Sequence, residues 1–228
     1  MSAGIRRGAF PADQCVRKAN SMGHPKGMIL ASDVRLIMAA EAELIANDGQ
    51  VEMLAVARRA GLSVGAAYHH FGSKTGLIAA VVENFYAPMH AIMLGDAIDH
   101  SLPWMERETK RLKAYVDYHY DHPFAPLLVG RLGRDPAVID TETRYRTALL
   151  KEGARNLKAG QAQGLVSAAL DPEIAVGLVW GGVHQALASA LLARRRPARG
   201  TLLVQIGLFV SGALGFETPN SAKGARHG

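Results

Sequence analysis

Apolar residues recur at three- and four-residue spacing from Ser32 onward. Leu36, Ile37, Ala40, Leu44 and Ile45 share one face, and the run stops at Asn47-Asp48-Gly49. A second, short helix follows, with Met53, Leu54, Val56 and Ala57 as its apolar set. Gly61 breaks it, and Ser63 stands where a third helix needs a cap. That helix reaches Phe71 before Gly72-Ser73 breaks the pattern again. Lys74 opens a long helix through Leu77, Ile78, Val81, Val82, Phe85 and Tyr86, with a kink expected at Pro88. Beyond residue 100, Pro103, Pro123, Pro126, Pro136, Gly160, Gly164, Pro172 and Pro197 separate further segments of helical length. No strand-like alternation of useful length and no internal repeat interrupts this, so the pattern predicts an all-α chain of about nine helices.

Charge refines the picture through its distribution. The 228 residues are 49% hydrophobic and 20% charged, which places the chain among folded globular proteins. The formal net charge of +6 favours a polyanionic partner only weakly. More telling is that no carboxylate occurs from Met53 to Val82, while Arg58, Arg59, His69, His70 and Lys74 all fall inside that window. A surface built from it attracts phosphate. A single cysteine, Cys15, excludes an internal disulfide and suits a reducing cytoplasm. Residues 1–28 read as a flexible basic arm with no apolar segment for a signal peptide. The expected organisation is then a helix-turn-helix domain over 29–76, a helical regulatory, ligand-binding and dimerisation domain over 77–216, and a tail over 217–228. Ile174–Ala193 carries no charge and is long enough to span a bilayer, with Thr201–Phe216 as a shorter apolar neighbour. His184, Gln185, Gly177, Gly181 and Gly182 interrupt it, so a buried helix pair is preferred and no membrane partner is expected.

Two short helices joined by a tight turn inside a carboxylate-free basic window fit a helix-turn-helix. In the turn Ala60-Gly61-Leu62-Ser63, Gly61 can take the left-handed conformation, Leu62 tucks between the helices and Ser63 caps the third. The run Ala60 to Phe71, with Val56-Ala57, Ser73-Lys74 and the upstream Ala40, Leu44 and Gly49, resembles the TetR (tetracycline-repressor) family of bacterial regulators. The resemblance implies that Tyr68, His70 and Lys74 hold phosphates, and that Val64, Gly65, Ala66 and His69 face the major groove. Of these four only His69 can hydrogen-bond a base edge. Two departures stand out: Glu52-Met53 occupies a place where many members carry a capping Thr or Ser, and the Gly49–Val56 connection is about two residues short. A carboxylate at Glu52 repels phosphate, so the second helix contributes less to binding or starts elsewhere.

The resemblance further implies a homodimeric cytoplasmic repressor, released from a palindromic double-stranded operator by a small-molecule effector. Its pocket is expected within roughly residues 85–180. Met89, His90, Met93, Trp104, Tyr115, Tyr118, His119, Phe124 and Trp180 are the candidates there, suited to an apolar or aromatic ligand. Small and apolar residues at three- and four-residue spacing nominate the dimer stripe: Ala175, Val179, Gly182 and Ala186, then Leu203, Gly207, Val210 and Leu214. Competing readings are a DNA-binding regulator without a ligand and a helical enzyme. Gly61-Leu62-Ser63-Val64-Gly65 matches a hydrolase elbow, but that motif needs a strand before the serine. Asp117, His119, Asp121 and His122 look like a metal cluster, yet one helix cannot aim all four at one ion. Arg194 to Arg199 reads as a solvated loop rather than a DNA contact, and no Gly-rich phosphate loop is present. No catalytic residue, metal or cofactor is therefore assigned.

Overall fold

Each helix begins or ends where a residue supplies the missing hydrogen bond. The computed structural model describes residues 31–216 apart from 96, 97 and 100, so the predicted basic arm and C-terminal tail lie outside the described residues. The elements are α1 (Ala31–Ala46), α2 (Met53–Ala60), α3 (Val64–Phe71), α4 (Lys74–Leu94), α5 (Trp104–Asp121), α6 (Ala125–Gly130), a 3-10 turn (Leu132–Arg134), α7 (Pro136–Ala162), α8 (Pro172–Leu192) and α9 (Arg199–Leu214). No strand occurs among the described residues. Ser63, Ser73, Asp135 and Asp171 cap α3, α4, α7 and α8 with their side-chain oxygens, each closing an otherwise orphaned amide. Gly61 and Gly215 close α2 and α9 in the left-handed conformation. α4 continues as one helix through Pro88.

The main core joins the N-terminal helices to the rest without a seam. Leu36, Leu44, Val56 and Ala67 belong to the same buried cluster as Leu77, Phe85, Tyr115, Phe124 and Leu187. α4 crosses the expected boundary at residue 76 unbroken and packs against α1, α5 and α7. Two predicted core positions turn outward: Leu54 is 58% exposed and Ile45 38%, the space at the α2 seam being filled by Ala60. A second cluster, built on Trp104, Leu157, Val166, Val176 and Leu214, closes the far end of the bundle. α4 and α8 are long and apolar enough to cross a membrane by length and composition, but each gives a face to the main core.

Candidate nucleic-acid interface

α3 is an eight-residue helix of about 12 Å, a length that lies in one major groove. Its start is fixed twice. The Gly61 amide reaches the Arg58 carbonyl and the Leu62 amide the Ala57 carbonyl, and the Ser63 hydroxyl accepts from the Ala66 amide at 3.1 Å. Arg35 of α1 reaches across to donate to the Ala60 and Gly61 carbonyls, holding the turn from behind. Only Ala67 is fully buried in α3, with Phe71 half-buried beside it. Val64, Gly65, Tyr68 and His69 form the exposed arc, and Tyr68 is half exposed although aromatic. Ala66 sits half-buried at the edge of that arc. An exposed tyrosine and histidine on a capped helix, in a window without carboxylates, is an arrangement suited to phosphate and base contact.

Two of the expected phosphate contacts are modified by their surroundings. Lys74 stands at the first position of α4, with Glu52 Oε1 3.6 Å from its Nζ. Glu52 is the residue before α2 and caps nothing with its side chain, so its charge is spent beside Lys74. His70 corrects the expectation more strongly. Its Nδ1 lies 2.6 Å from Asp33 Oδ1 and its Nε2 3.3 Å from Ser32 Oγ, so both ring nitrogens face α1 rather than solvent. Sequence reasoning missed Asp33, Ser32 and Arg35, because contacts between segments nearly forty residues apart leave no periodic trace. It also passed over Arg58, exposed on α2, although Arg58 stood inside the carboxylate-free window.

The family model for bacterial regulatory proteins of the tetR family matches residues 36–81, the segment that carries α1 to α4. A TetR-family transcriptional regulator from Pectobacterium atrosepticum superposes with a TM-score of 0.64 at 25% identity, covering 80% of this chain and 94% of its own. Over residues 36–81 in sequence, and over most of its described length in fold, the chain is similar to TetR-family regulators. It is accordingly a DNA-binding transcriptional regulator. A TetR-family regulator from Rhodococcus sp. shares the fold at TM-score 0.68 and 19% identity, over 81% of this chain and all of that one. FadR from Bacillus subtilis, solved in complex with stearoyl-CoA, does so at TM-score 0.68 and 18% identity, over 78% of this chain and 98% of its own. No curated protein matches the sequence closely enough to count as a relative.

The helices beyond the matched segment bring most of the predicted ligand residues together. Phe85 is ringed by Tyr118, His119, His122 and Phe124 at centroid distances of 4.9–6.0 Å. Tyr115 bridges His119 to Trp180, and its hydroxyl lies 3.3 Å from His184 Nδ1. Met89 is buried in the same core, while Met93 packs at its edge and His90 stacks edge-on against Tyr145. Trp104 does not join them: it sits in the second cluster, donating to Asn156. His122 and His184 were not singled out as ligand residues, yet they complete the ring. Burial pushes the His119 imidazole down to about 4 and lowers His122, His184 and His90 as well. Burial raises the Tyr115 and Tyr86 hydroxyls. Tyr115, His119, His122 and His184 are thus all driven toward their neutral forms. Two open grooves mark the surface elsewhere, a 490 Å³ one between α1, α6 and α8 and a 440 Å³ one between α7 and α8.

The remaining sequence candidates find other uses. Ser63 is a helix cap preceded by a helix, not a strand. Asp117 and Asp121 both face Arg199 across α5 and α9, and His119 turns into the core and donates from Nδ1 to the Tyr115 carbonyl. Arg196 and Arg199 stack on Tyr120, anchoring the α8–α9 loop to α5. Part of the expected dimer stripe is occupied within the chain itself. Ala175 and Leu214 are buried in the second cluster, and a β-carbon at Gly182 would meet the Phe209 ring at 2.6 Å. Val179, Ala186, Leu203 and Val210 pack half-buried beside the core, while at Gly207 nothing lies within 4 Å of a β-carbon, so that position stays open. The outward face lies about one residue round each helix: Ile174, Leu178 and Gly181 on α8, with Val204, Leu208 and Phe209 on α9. The cause at Gly182 is plain, since the Phe209 ring of α9 lies over it.

Proposed function

We propose that this regulator binds a palindromic operator as a cytoplasmic homodimer and is released by a small, uncharged apolar or aromatic effector. The observation that carries the DNA side is the exposed arc of α3, Val64, Gly65, Tyr68 and His69, standing beside Lys74 with no carboxylate on α2, α3 or the first turns of α4. Tyr68 and Lys74 then hold phosphates, and His69 reads a base edge while Val64 and Gly65 fit against methyls or groove shape. Support for the dimer comes from the outward apolar face of α8 and α9, where Ile174, Leu178, Val204 and Leu208 are all 60% or more exposed. Two copies sharing that face across a two-fold axis would set two α3 helices on half-sites one or more DNA turns apart.

For the effector, the support is the neutral ring of Phe85, Tyr115, Tyr118, His119, His184 and Trp180. It offers aromatic faces with a few orienting hydrogen-bond groups and no buried charge to pair with an ion. The likeness in fold to a FadR that was solved with stearoyl-CoA supports a body able to take a ligand. A hundredfold loss of operator affinity needs about 2.7 kcal/mol of coupling, which one reoriented helix can supply. Binding selection from random duplexes tests the reading: an inverted repeat is expected, with binding that weakens steeply in salt. Lys74→Ala should weaken all sequences and reduce the salt slope by about one. A thermal-shift screen of aromatic and apolar compounds, each hit titrated against the selected operator, tests the effector. Hits that stabilise the protein without weakening operator binding would remove the sensor from this reading.

A further inference from the structure

The helix that carries the reading face is thinly anchored. α3 buries a single alanine completely and is too short to persist unaided. Its N-terminal end is fixed by the Ser63 cap and by Arg35 on the turn before it, and its apolar packing rests on two residues, the buried Ala67 and the half-buried Phe71. At its other end the polar link among the described residues is His70. The imidazole is 19% exposed and its Asp33 partner 23%, and Ser32 completes the contact on the second nitrogen. Asp33 lies in the first turn of α1, where a helix favours a negative charge, and His70 in the last turn of α3, where it favours a positive one. Arg35 and Asp33, two residues apart on α1, therefore hold the turn before α3 and the last turn of α3.

We infer that His70 is a positioning residue, acting through Asp33: the pair fixes the roll of α3 on α1 and so aims Tyr68 and His69, and the imidazole itself holds no phosphate. The inference rests on the DNA-binding reading above, but part of its test does not. On an eight-residue helix His70 points away from the arc formed by Tyr68 and His69, so a phosphate could be reached only by giving up Asp33 or Ser32.

The sign of one substitution separates positioning from direct contact. Asp33→Asn removes a negative charge beside a polyanion, and a bystander there would leave operator binding unchanged or tighter. The positioning role instead predicts a loss of roughly tenfold, as expected when a close, half-buried polar contact to a carboxylate is removed. The salt slope should stay at the wild-type value, and preference should relax at the base read by His69. His70→Gln should behave alike, and the double variant should be no worse than either single one, since both remove the same pair. In the DNA-free protein, amides of α3 should exchange faster in both variants while those of α4 keep their protection. The inference is overturned if Asp33→Asn keeps wild-type affinity while His70→Gln cuts the salt slope by about one, or if α3 exchange is unchanged in both. Should the wild-type chain select no duplex, the DNA-binding reading falls, and exchange in α3 still decides the pair.

Discussion

His119 shows how much of this protein's behaviour rests on single buried groups. It is 3% exposed, packed against Phe85 and Tyr115, and its imidazole is held down to about 4 against an ordinary value of 6.5. The unfolded chain takes up a proton first as pH falls, because its pKa is the higher one. Stability from this group is therefore complete above about pH 6.5 and drains away as pH drops toward 4. A shift of that size corresponds to a few kcal/mol, on the order of 3. His122 and His184 are lowered for the same reason and add in the same direction. Denaturant melts at pH 7, 5.5 and 4.5 should show steep loss in the wild type, and His119→Gln should flatten that dependence. A wild-type midpoint that stays level from pH 7 to 4.5 would show that these imidazoles protonate without cost in the folded chain.

Glycines in the α3–α4 segment divide by what surrounds them. A β-carbon at Gly76 would sit 2.2 Å from the Phe71 carbonyl oxygen, a backbone atom that no side-chain rotation can move aside. At Gly65 the only neighbour is Ser63 Oγ at 3.8 Å, because that position looks into open space on the reading face. Gly76→Ala should therefore lower the melting temperature and weaken operator binding together, as the turn between the helices opens. Gly65→Ala should keep or raise the melting temperature, since alanine favours helix by up to about 1 kcal/mol, yet change operator affinity or base preference. Equal melting temperatures for the two variants would contradict this division. The helices themselves were legible, because the caps Ser63 and Ser73 and the breaks at Gly61 and Gly72 are local signals that tertiary packing did not override. Leu54 and Ile45 were misplaced because the 3.6-residue pattern gives a face but not its width. His70 was assigned to phosphate because its partner Asp33 is remote in sequence, and Trp104 was grouped with other aromatics by composition while geometry sets it with Asn156.

At the scale of the whole molecule the question is what covers α8 and α9. Within the chain part of their surface is committed: Gly182 receives Phe209, and Ala175 and Leu214 lie in the second cluster. The face left over carries Leu178, 67% exposed, with Val204 and Leu208 at 60%, too much contiguous apolar surface for a helix pair in water. Gly181 sits on that face with nothing within 4 Å of where a β-carbon would be, so a side chain there disturbs nothing inside the chain. This makes it a clean probe. Gly181→Arg should fold with an unchanged core, and should sediment as a monomer at micromolar concentration where the wild type is expected to sediment as a dimer. Its affinity for a duplex holding one half-site should match the wild type, because the reading face of α3 is untouched. Its affinity for the full inverted repeat should fall toward that half-site value, since the gain from tethering two heads is lost without any change in either head. A Gly181→Arg protein that still dimerises and still prefers the inverted repeat would place the two-fold contact on another face.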